Sequence, residues 1–110
     1  MQNYYLEDEI SIIFVTCPSV EEARTIAKAL IDERLAACVS IIPEIISIYH
    51  WEGVVQEYSE SLLKVKTKSS YFEKVSNKVK KMHSAVLPEI VEVKITQATN
   101  EYKMWLHDEI

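Results

Sequence analysis

Cys17, Met82 and His83 supply the thiol, thioether and imidazole groups that this sequence could bring together on a transition metal. Cys17 lies just before a predicted helix, where unpaired backbone amides and the helix dipole favour a thiolate. Sulfur and imidazole ligands suit copper or zinc better than magnesium or calcium. We therefore predict that any metal site in this chain uses Cys17 and His83, with Met82 or Glu89 as a third ligand.

Each of these residues also has a purely structural interpretation. Cys17 at the end of a strand is equally typical of a small buried hydrophobe, and Cys38 within Ala-Ala-Cys-Val is typical of a packing residue. His83 at the end of a helix can act as a cation against the helix dipole. The chain has no C-x-x-C or H-x-x-x-H spacing, so ligand spacing alone does not identify a metal site.

Catalysis has weak support in the sequence. A single glycine rules out a glycine-rich phosphate loop, and the segment from Thr16 to Glu22 offers no arginine for a small phosphatase to hold an anion. Thiol catalysis by Cys17, with His83 as the base, is the remaining enzymatic alternative, and no activating group is evident. We predict that the protein is not an enzyme.

Hydrophobic patterning predicts the elements that must position these residues. Capping boxes at Ser19 with Glu22 and at Ser70 with Glu73 mark the starts of two helices. The predicted strands are 10–17, 38–51, 61–67 and 89–95, the helices are 19–34 and 70–82, and a short last helix begins near residue 99. This order, βαββαβ plus a C-terminal helix, predicts an α+β protein with a ferredoxin-like split βαβ sandwich.

That topology places Cys17, Met82, His83 and Glu89 at one end of an antiparallel sheet. It also leaves a surface to be covered, because Ile12–Val15 is apolar on both faces of its strand, whereas two helices cover only one face. We expect the last helix, a neighbouring chain, or both to cover the other face.

The segment from Leu35 to Thr67 predicts a long β-hairpin. Pro43 cannot donate to a ladder and indicates a bend or bulge, and Gly53 marks the turn. A strand from Cys38 to Trp51 would reach about 46 Å, more than one small domain can cover. We therefore predict that the apolar tip contacts another copy of the chain through an interface at Tyr49, Trp51, Glu52 and Gly53.

Composition limits the classes of partner. The 110 residues predict one domain, 1–110, with a loose lead-in over residues 1–9. A net charge of −5 argues against nucleic-acid binding, and no apolar run is long enough to span a membrane. Two cysteines and a polar N-terminus without a leader pattern predict a cytoplasmic protein.

Several motifs resemble those of the CutA divalent-cation tolerance family. They are Glu33-Arg-Leu-Ala-Ala-Cys-Val39, Ile-Ile-Pro43, Ser47-Ile-Tyr49, Trp51-Glu-Gly53, Lys66-Thr67, His83 with Pro88-Glu89-Ile90, and Tyr102-x-x-Trp105-Leu106. The resemblance implies a ferredoxin-like subunit in a tight homotrimer, with hairpin arms that pack across subunits as in PII-like proteins. It also implies a role in tolerance of copper and other divalent ions, with metal binding in some members, and it implies no enzymatic activity.

The sequence departs from the family pattern at the candidate site. Ser84-Ala85 follows His83 where the family usually has Pro-Tyr, and Glu44 stands where the family often has glycine or another small residue. Some metal-binding members carry their thiol one residue earlier than Cys17, and a one-residue change moves a strand side chain to the other face.

The resemblance, taken together with the residues above, implies two alternative functions. The first is a trimer that binds copper, zinc or a small ligand near its subunit clefts, in metal homeostasis or signalling, with no metal required for folding. The alternative is a structural or protein-interaction trimer with no functional metal site.

Overall fold

The computed structural model describes residues 8–110. Of the predicted lead-in only Asp8 and Glu9 fall within this range, so the prediction for residues 1–7 lies outside the described residues. The described chain forms four strands and three α-helices, with a 3₁₀ turn at Ser69–Tyr71. These elements are β1 (Ile10–Cys17), α1 (Val20–Asp32), β2 (Cys38–Trp51), β3 (Val54–Lys68), α2 (Phe72–Met82), β4 (Ile90–Lys94) and α3 (Asn100–Glu109).

The four strands form one antiparallel sheet in the order β2-β3-β1-β4. β1 is central, with Ile13 opposite Val65 of β3 on one side and Glu92 of β4 on the other. This arrangement confirms the predicted α+β, ferredoxin-like fold, to which α3 is added at the C-terminal end. The sheet therefore ends, as predicted, with the C-terminus of β1 beside the start of β4.

The hydrophobic core lies between one face of the sheet and helices α1 and α2. Apolar residues spaced three and four apart turn one stripe of each helix inward, and alternate residues of β1 and β3 meet these stripes. The fully buried members are Ile13, Val15, Cys17, Ala23, Ile26, Leu30, Leu63, Val65, Val75 and Val79. This packing fixes the positions of the ends of β1 and α2, from which the candidate site is built.

The opposite face of the sheet is covered only in part. Tyr102 of α3 lies beside β3, with its hydroxyl 3.0 Å from Lys66 Nζ, and Leu106 of the same helix is fully buried. Val91 and Val93 of β4 point to this face and remain 46% and 52% exposed. The last helix thus covers one part of the second face, and the rest is open in a single chain.

The two predicted capping boxes have different outcomes. Ser19 caps α1 as predicted, because its hydroxyl accepts the Glu22 N–H at 3.1 Å. The prediction that Ser70 caps α2 is wrong: Tyr71 precedes this helix and makes no side-chain capping bond. The reason is that Ser69 is tied to the start of β1: its amide donates to the carbonyl of Glu9, which precedes the strand, and its hydroxyl hydrogen-bonds to that of Ser11, so the chain enters α2 through a tight 3₁₀ turn.

The hairpin is a single long arm, as predicted. β2 and β3 are joined by a two-residue turn in which Glu52 and Gly53 have φ of 52° and 80°, the geometry of a type I′ hairpin turn. The described molecule is 57 Å long but only 26 Å and 22 Å across. Near the tip Ile46 is 68% exposed and Val55 is 60% exposed. A single chain therefore leaves an apolar arm in solvent.

A β-bulge divides the arm from the body, at the position where Pro43 predicts an interruption. Between Ile42 and Ile45, β2 advances three residues while β3 advances two. Glu44 within the bulge has φ of 61°, a left-handed conformation that glycine adopts without steric cost. This geometry gives a physical reason for a preference for glycine at this position.

Candidate metal centre

Three potential metal ligands meet at the end of the sheet where β1 stops. Cys17 is the last residue of β1, Glu22 lies in the first turn of α1, and His83 directly follows α2. One ligand atom from each residue lies within 4.8 Å of the others. The Ser19 cap fixes the start of α1, and the His83 N–H donates to the Val79 carbonyl at the end of α2, so local backbone structure positions two of the three ligands.

The hydrogen bonds of His83 define its tautomer. Its Nε2 lies 2.6 Å from the Thr16 carbonyl oxygen, which can only accept, so Nε2 carries a proton. Its Nδ1 accepts the Ala85 N–H at 3.0 Å and lies 3.6 Å from Glu22 Oε2. The side chain is only 2% exposed. His83 is therefore an oriented imidazole with a lone pair on Nδ1, beside a carboxylate oxygen.

Cys17 is a protonated thiol at neutral pH. Burial of the side chain, followed by the negative charges of Glu22 and Glu60, raises its pKa from 9.0 to about 12. The expectation that the start of α1 favours a thiolate is therefore wrong, because burial and two carboxylates outweigh the helix dipole. The same shift opposes thiol catalysis, since a nucleophilic cysteine needs a lowered pKa or an available base.

The donor set fits a borderline metal ion. Around a tetrahedral zinc with bonds of about 2.0–2.3 Å, neighbouring ligand atoms are roughly 3.3–3.8 Å apart. The 3.6 Å between His83 Nδ1 and Glu22 Oε2 already lies in that range. A metal-binding histidine usually donates its other ring N–H to a carbonyl or carboxylate, as His83 donates to Thr16. Sulfur, nitrogen and oxygen donors together suit zinc or copper.

The other two predicted ligands lie elsewhere. Met82 is partly buried and packs against the hydrophobic core, whereas Glu89 is exposed at the start of β4. Among residues 8–110, Cys17, Glu22 and His83 form the cluster that could hold a metal ion, so the structure brings together two of the four predicted residues. Glu22 was missed because the Ser19-x-x-Glu22 pattern predicts a capping box. Its carboxylate instead accepts the Ser84 N–H at 3.1 Å.

An open cleft of about 900 Å³ adjoins the cluster. The arm forms one wall, with Tyr49, Trp51 and Tyr58 among its lining residues. His83 and the loop at residues 84–89 line the other wall. Of the four residues predicted for an interface, Tyr49 and Trp51 line this cleft, and Glu52 and Gly53 form the turn at the tip of the arm.

Comparison with known proteins gives consistent matches. The family model described as CutA1 divalent ion tolerance protein matches residues 11–109. The divalent-cation tolerance protein CutA of Thermus thermophilus is 50% identical over 97 residues, covering 88% of this chain and 94% of that protein. Protein CutA of Mus musculus is 39% identical over 103 residues; the match covers 94% of this chain but only 58% of the mouse protein.

Solved structures agree with these sequence matches. The Thermus thermophilus divalent cation tolerance protein superimposes with a TM-score of 0.88 at 48% identity, covering 91% of this chain and 97% of that chain. The periplasmic divalent cation tolerance protein CutA of Archaeoglobus fulgidus gives 0.89 at 40% identity, with coverage of 91% and 97%. Separately, the helices within residues 8–110 are all too short or too polar to cross a membrane.

Proposed function

Because the chain belongs to the CutA1 divalent ion tolerance protein family, we propose that it binds a divalent metal ion, copper or zinc, at Cys17, Glu22 and His83. The observation that carries this proposal is the convergence of three electron-pair donors, with the remaining ring nitrogen of His83 already committed to the Thr16 carbonyl. A divalent cation is a partner that all three donors can bind at once.

The charges of the cluster support a divalent ion. Cys17 as a thiolate and Glu22 as a carboxylate carry two negative charges, which a divalent cation neutralises. Their repulsion contributes to the raised pKa of the Cys17 thiol, so binding must displace its proton. The protein holds the ion without transforming it, and its role is metal homeostasis or signalling rather than catalysis.

We assign the protein to the cytoplasm, where the free thiols of Cys17 and Cys38 stay reduced. Cell fractionation tests that assignment.

The working form is a homotrimer. The exposed apolar residues of the arm and the half-exposed Val91 and Val93 support self-association, because contiguous exposed apolar surface is typical of protein–protein contacts. The number three rests on the resemblance to the family. Light scattering should give three times the chain mass of 12.7 kDa. A mass equal to that of one chain would exclude assembly, and twice that mass would exclude only the trimer.

A second candidate is a structural or protein-interaction trimer without a functional metal site. It is favoured by the two backbone amides of Ser84 and Ala85, which donate to Glu22 and His83 and satisfy these side chains. A small ligand in the cleft beside Tyr49 would be compatible with either function.

Calorimetric titration with zinc and copper separates these candidates. Cys17→Ser, His83→Ala and Glu22→Gln should each weaken binding by at least about tenfold. The matched control is Glu89→Gln, which makes the same change of charge outside the cluster and should leave affinity unchanged. Undiminished affinity in all three cluster variants would refute this site, and loss in the control would assign Glu89 as a ligand. Each variant must first be shown to assemble.

A further inference from the structure

The two side chains proposed as the oxygen and nitrogen ligands also hold the loop at residues 84–89. The Ser84 N–H donates to Glu22 Oε2 at 3.1 Å, and the Ala85 N–H donates to His83 Nδ1 at 3.0 Å. The first two amides of the loop are thus held by two members of the three-residue cluster.

A metal ion and the Ala85 amide compete for one lone pair. A neutral imidazole has a single acceptor nitrogen, and that lone pair cannot form a coordination bond and accept an N–H at the same time. His83 cannot offer its other nitrogen without breaking the 2.6 Å bond to the Thr16 carbonyl. Glu22 faces no such conflict, because Oε2 has a second lone pair and can bind a metal ion while it still accepts the Ser84 N–H.

We propose that metal binding at Cys17, Glu22 and His83 and closure of the 84–89 loop are mutually exclusive states, so that an arriving ion releases the loop. This inference rests on the proposed function and assigns a regulation to the same site. The loop lines the cleft opposite the arm and carries Val86 and Leu87, which are 92% and 73% exposed. Occupancy of the metal site is thereby converted into a change in one wall of the cleft.

Amide hydrogen exchange, measured by NMR on the assembled protein with and without saturating zinc, tests the release. The Ala85 amide loses its hydrogen bond, so its exchange should accelerate about threefold to tenfold, whereas the Ser84 amide can keep its bond to the Glu22 carboxylate oxygen. The Tyr102 N–H is a matched control, since it also donates to a side-chain oxygen, that of Thr99, on α3. Its exchange should not change.

A pair of proline variants tests the competition from the other direction. Ala85→Pro removes the N–H that occupies Nδ1, so zinc affinity should rise about fivefold, by the reciprocity of coupled equilibria. Val86→Pro introduces the same ring one residue later and retains the Ala85 amide, so it controls for stiffening of the loop. Circular dichroism confirms that both variants are folded.

The outcomes separate this inference from the proposed function. Zinc binding without faster exchange at Ala85 would overturn loop release and leave the metal site intact. Equal zinc affinity in Ala85→Pro and Val86→Pro would overturn the competition. Absence of zinc binding in the parent protein would overturn both the proposed site and the loop mechanism.

Discussion

The substitution Glu22→Gln should lower the pKa of the Cys17 thiol by about one pH unit in the metal-free protein. The variant removes a negative charge but keeps the side chain's shape and an oxygen that can still accept the Ser84 N–H. It therefore separates the electrostatic role of Glu22 from its structural role. Because burial is the largest cause of the raised pKa, most of the increase should remain.

The magnitude follows from the geometry. The Cys17 and Glu22 ligand atoms lie within 4.8 Å of each other, and two unit charges at that distance repel by about 0.9 kcal/mol at the dielectric constant of water and by about 3.5 kcal/mol at an effective value near 20. At about 1.4 kcal/mol per pH unit, this interaction would raise the pKa by roughly 0.6 to 2.5. The total increase is 3, from 9.0 to about 12, and burial contributes more than Glu22 does, so the carboxylate accounts for less than half. A decrease in the pKa of about one pH unit lies within the range set by the Coulomb repulsion and below half of the total increase.

The NMR chemical shift of the Cys17 β-carbon, followed from pH 9.0 to about 12 in a Cys38→Ser background, reports the Cys17 thiol separately from the tyrosines. Glu60→Gln should lower the pKa by less than Glu22→Gln, because Glu60 is the smaller cause, and Glu89→Gln should leave it unchanged. An unaltered midpoint in Glu22→Gln would refute the proximity of the two groups. A midpoint restored fully to 9.0 would refute burial as the main cause.

Four further predictions concern stability and assembly. Trp51→Ala should loosen the assembly by about 3–5 kcal/mol if the ring is buried between subunits, and a melting temperature that does not change would show that Trp51 is not an anchor. Glu44→Gly should stabilise the fold by about 0.5–1 kcal/mol in urea titration, since it relieves a φ of 61°; destabilisation would contradict this account of the bulge. Ser76→Ala should be neutral or stabilising by up to about 1 kcal/mol, because the hydroxyl is buried without a hydrogen-bond partner among the described residues; a marked loss in thermal unfolding would reveal an unrecognised bond. Because the pKa of the Cys17 thiol is raised in the folded protein, the protonated thiol contributes to the free energy of unfolding, and this contribution is fully present below pH 9.0. It is lost as pH rises toward 12, by up to about 1.4 kcal/mol per pH unit, and Cys17→Ala should flatten this alkaline loss in chemical unfolding.

Much of the architecture could be predicted from local chemistry. Pro43 and Gly53 each have a restricted or unusual backbone preference, so they located the bulge and the turn of the arm. Ser19 located the start of α1 for a similar reason, since its hydroxyl satisfies an amide only three residues away. The failed cap at Ser70 shows the limit of such reasoning, because contacts of the neighbouring Ser69 with β1 decide how that helix begins.

The candidate site was less predictable because its properties are non-local. Topology alone brought Cys17 and His83 to one end of the sheet, as expected. The role of Glu22 and the protonation of Cys17 depend on side-chain directions and burial, and the contact between Glu22 and Ser84 joins residues 62 positions apart. Met82 shows the converse: its thioether is chemically suitable, but a side chain in the helical stripe turns toward the core.

The bulge at Glu44 changes which face of the arm each later residue of β2 occupies, relative to strict alternation along the strand. Its one extra residue reverses the alternation of β2, and Tyr49 beyond it shares a face with Tyr58 of β3, their ring centroids 6.2 Å apart. Deletion of this residue would close the bulge, because Pro43 would then lie opposite Ser61 while Ile45 keeps Glu60 as its partner. Tyr49 would keep Gln56 as its partner and would stay on the face that carries Tyr58. The extra residue therefore adds a bend and a stronger twist to β2 at the base of the arm, and its loss would straighten the strand without exchanging the surfaces of the arm tip.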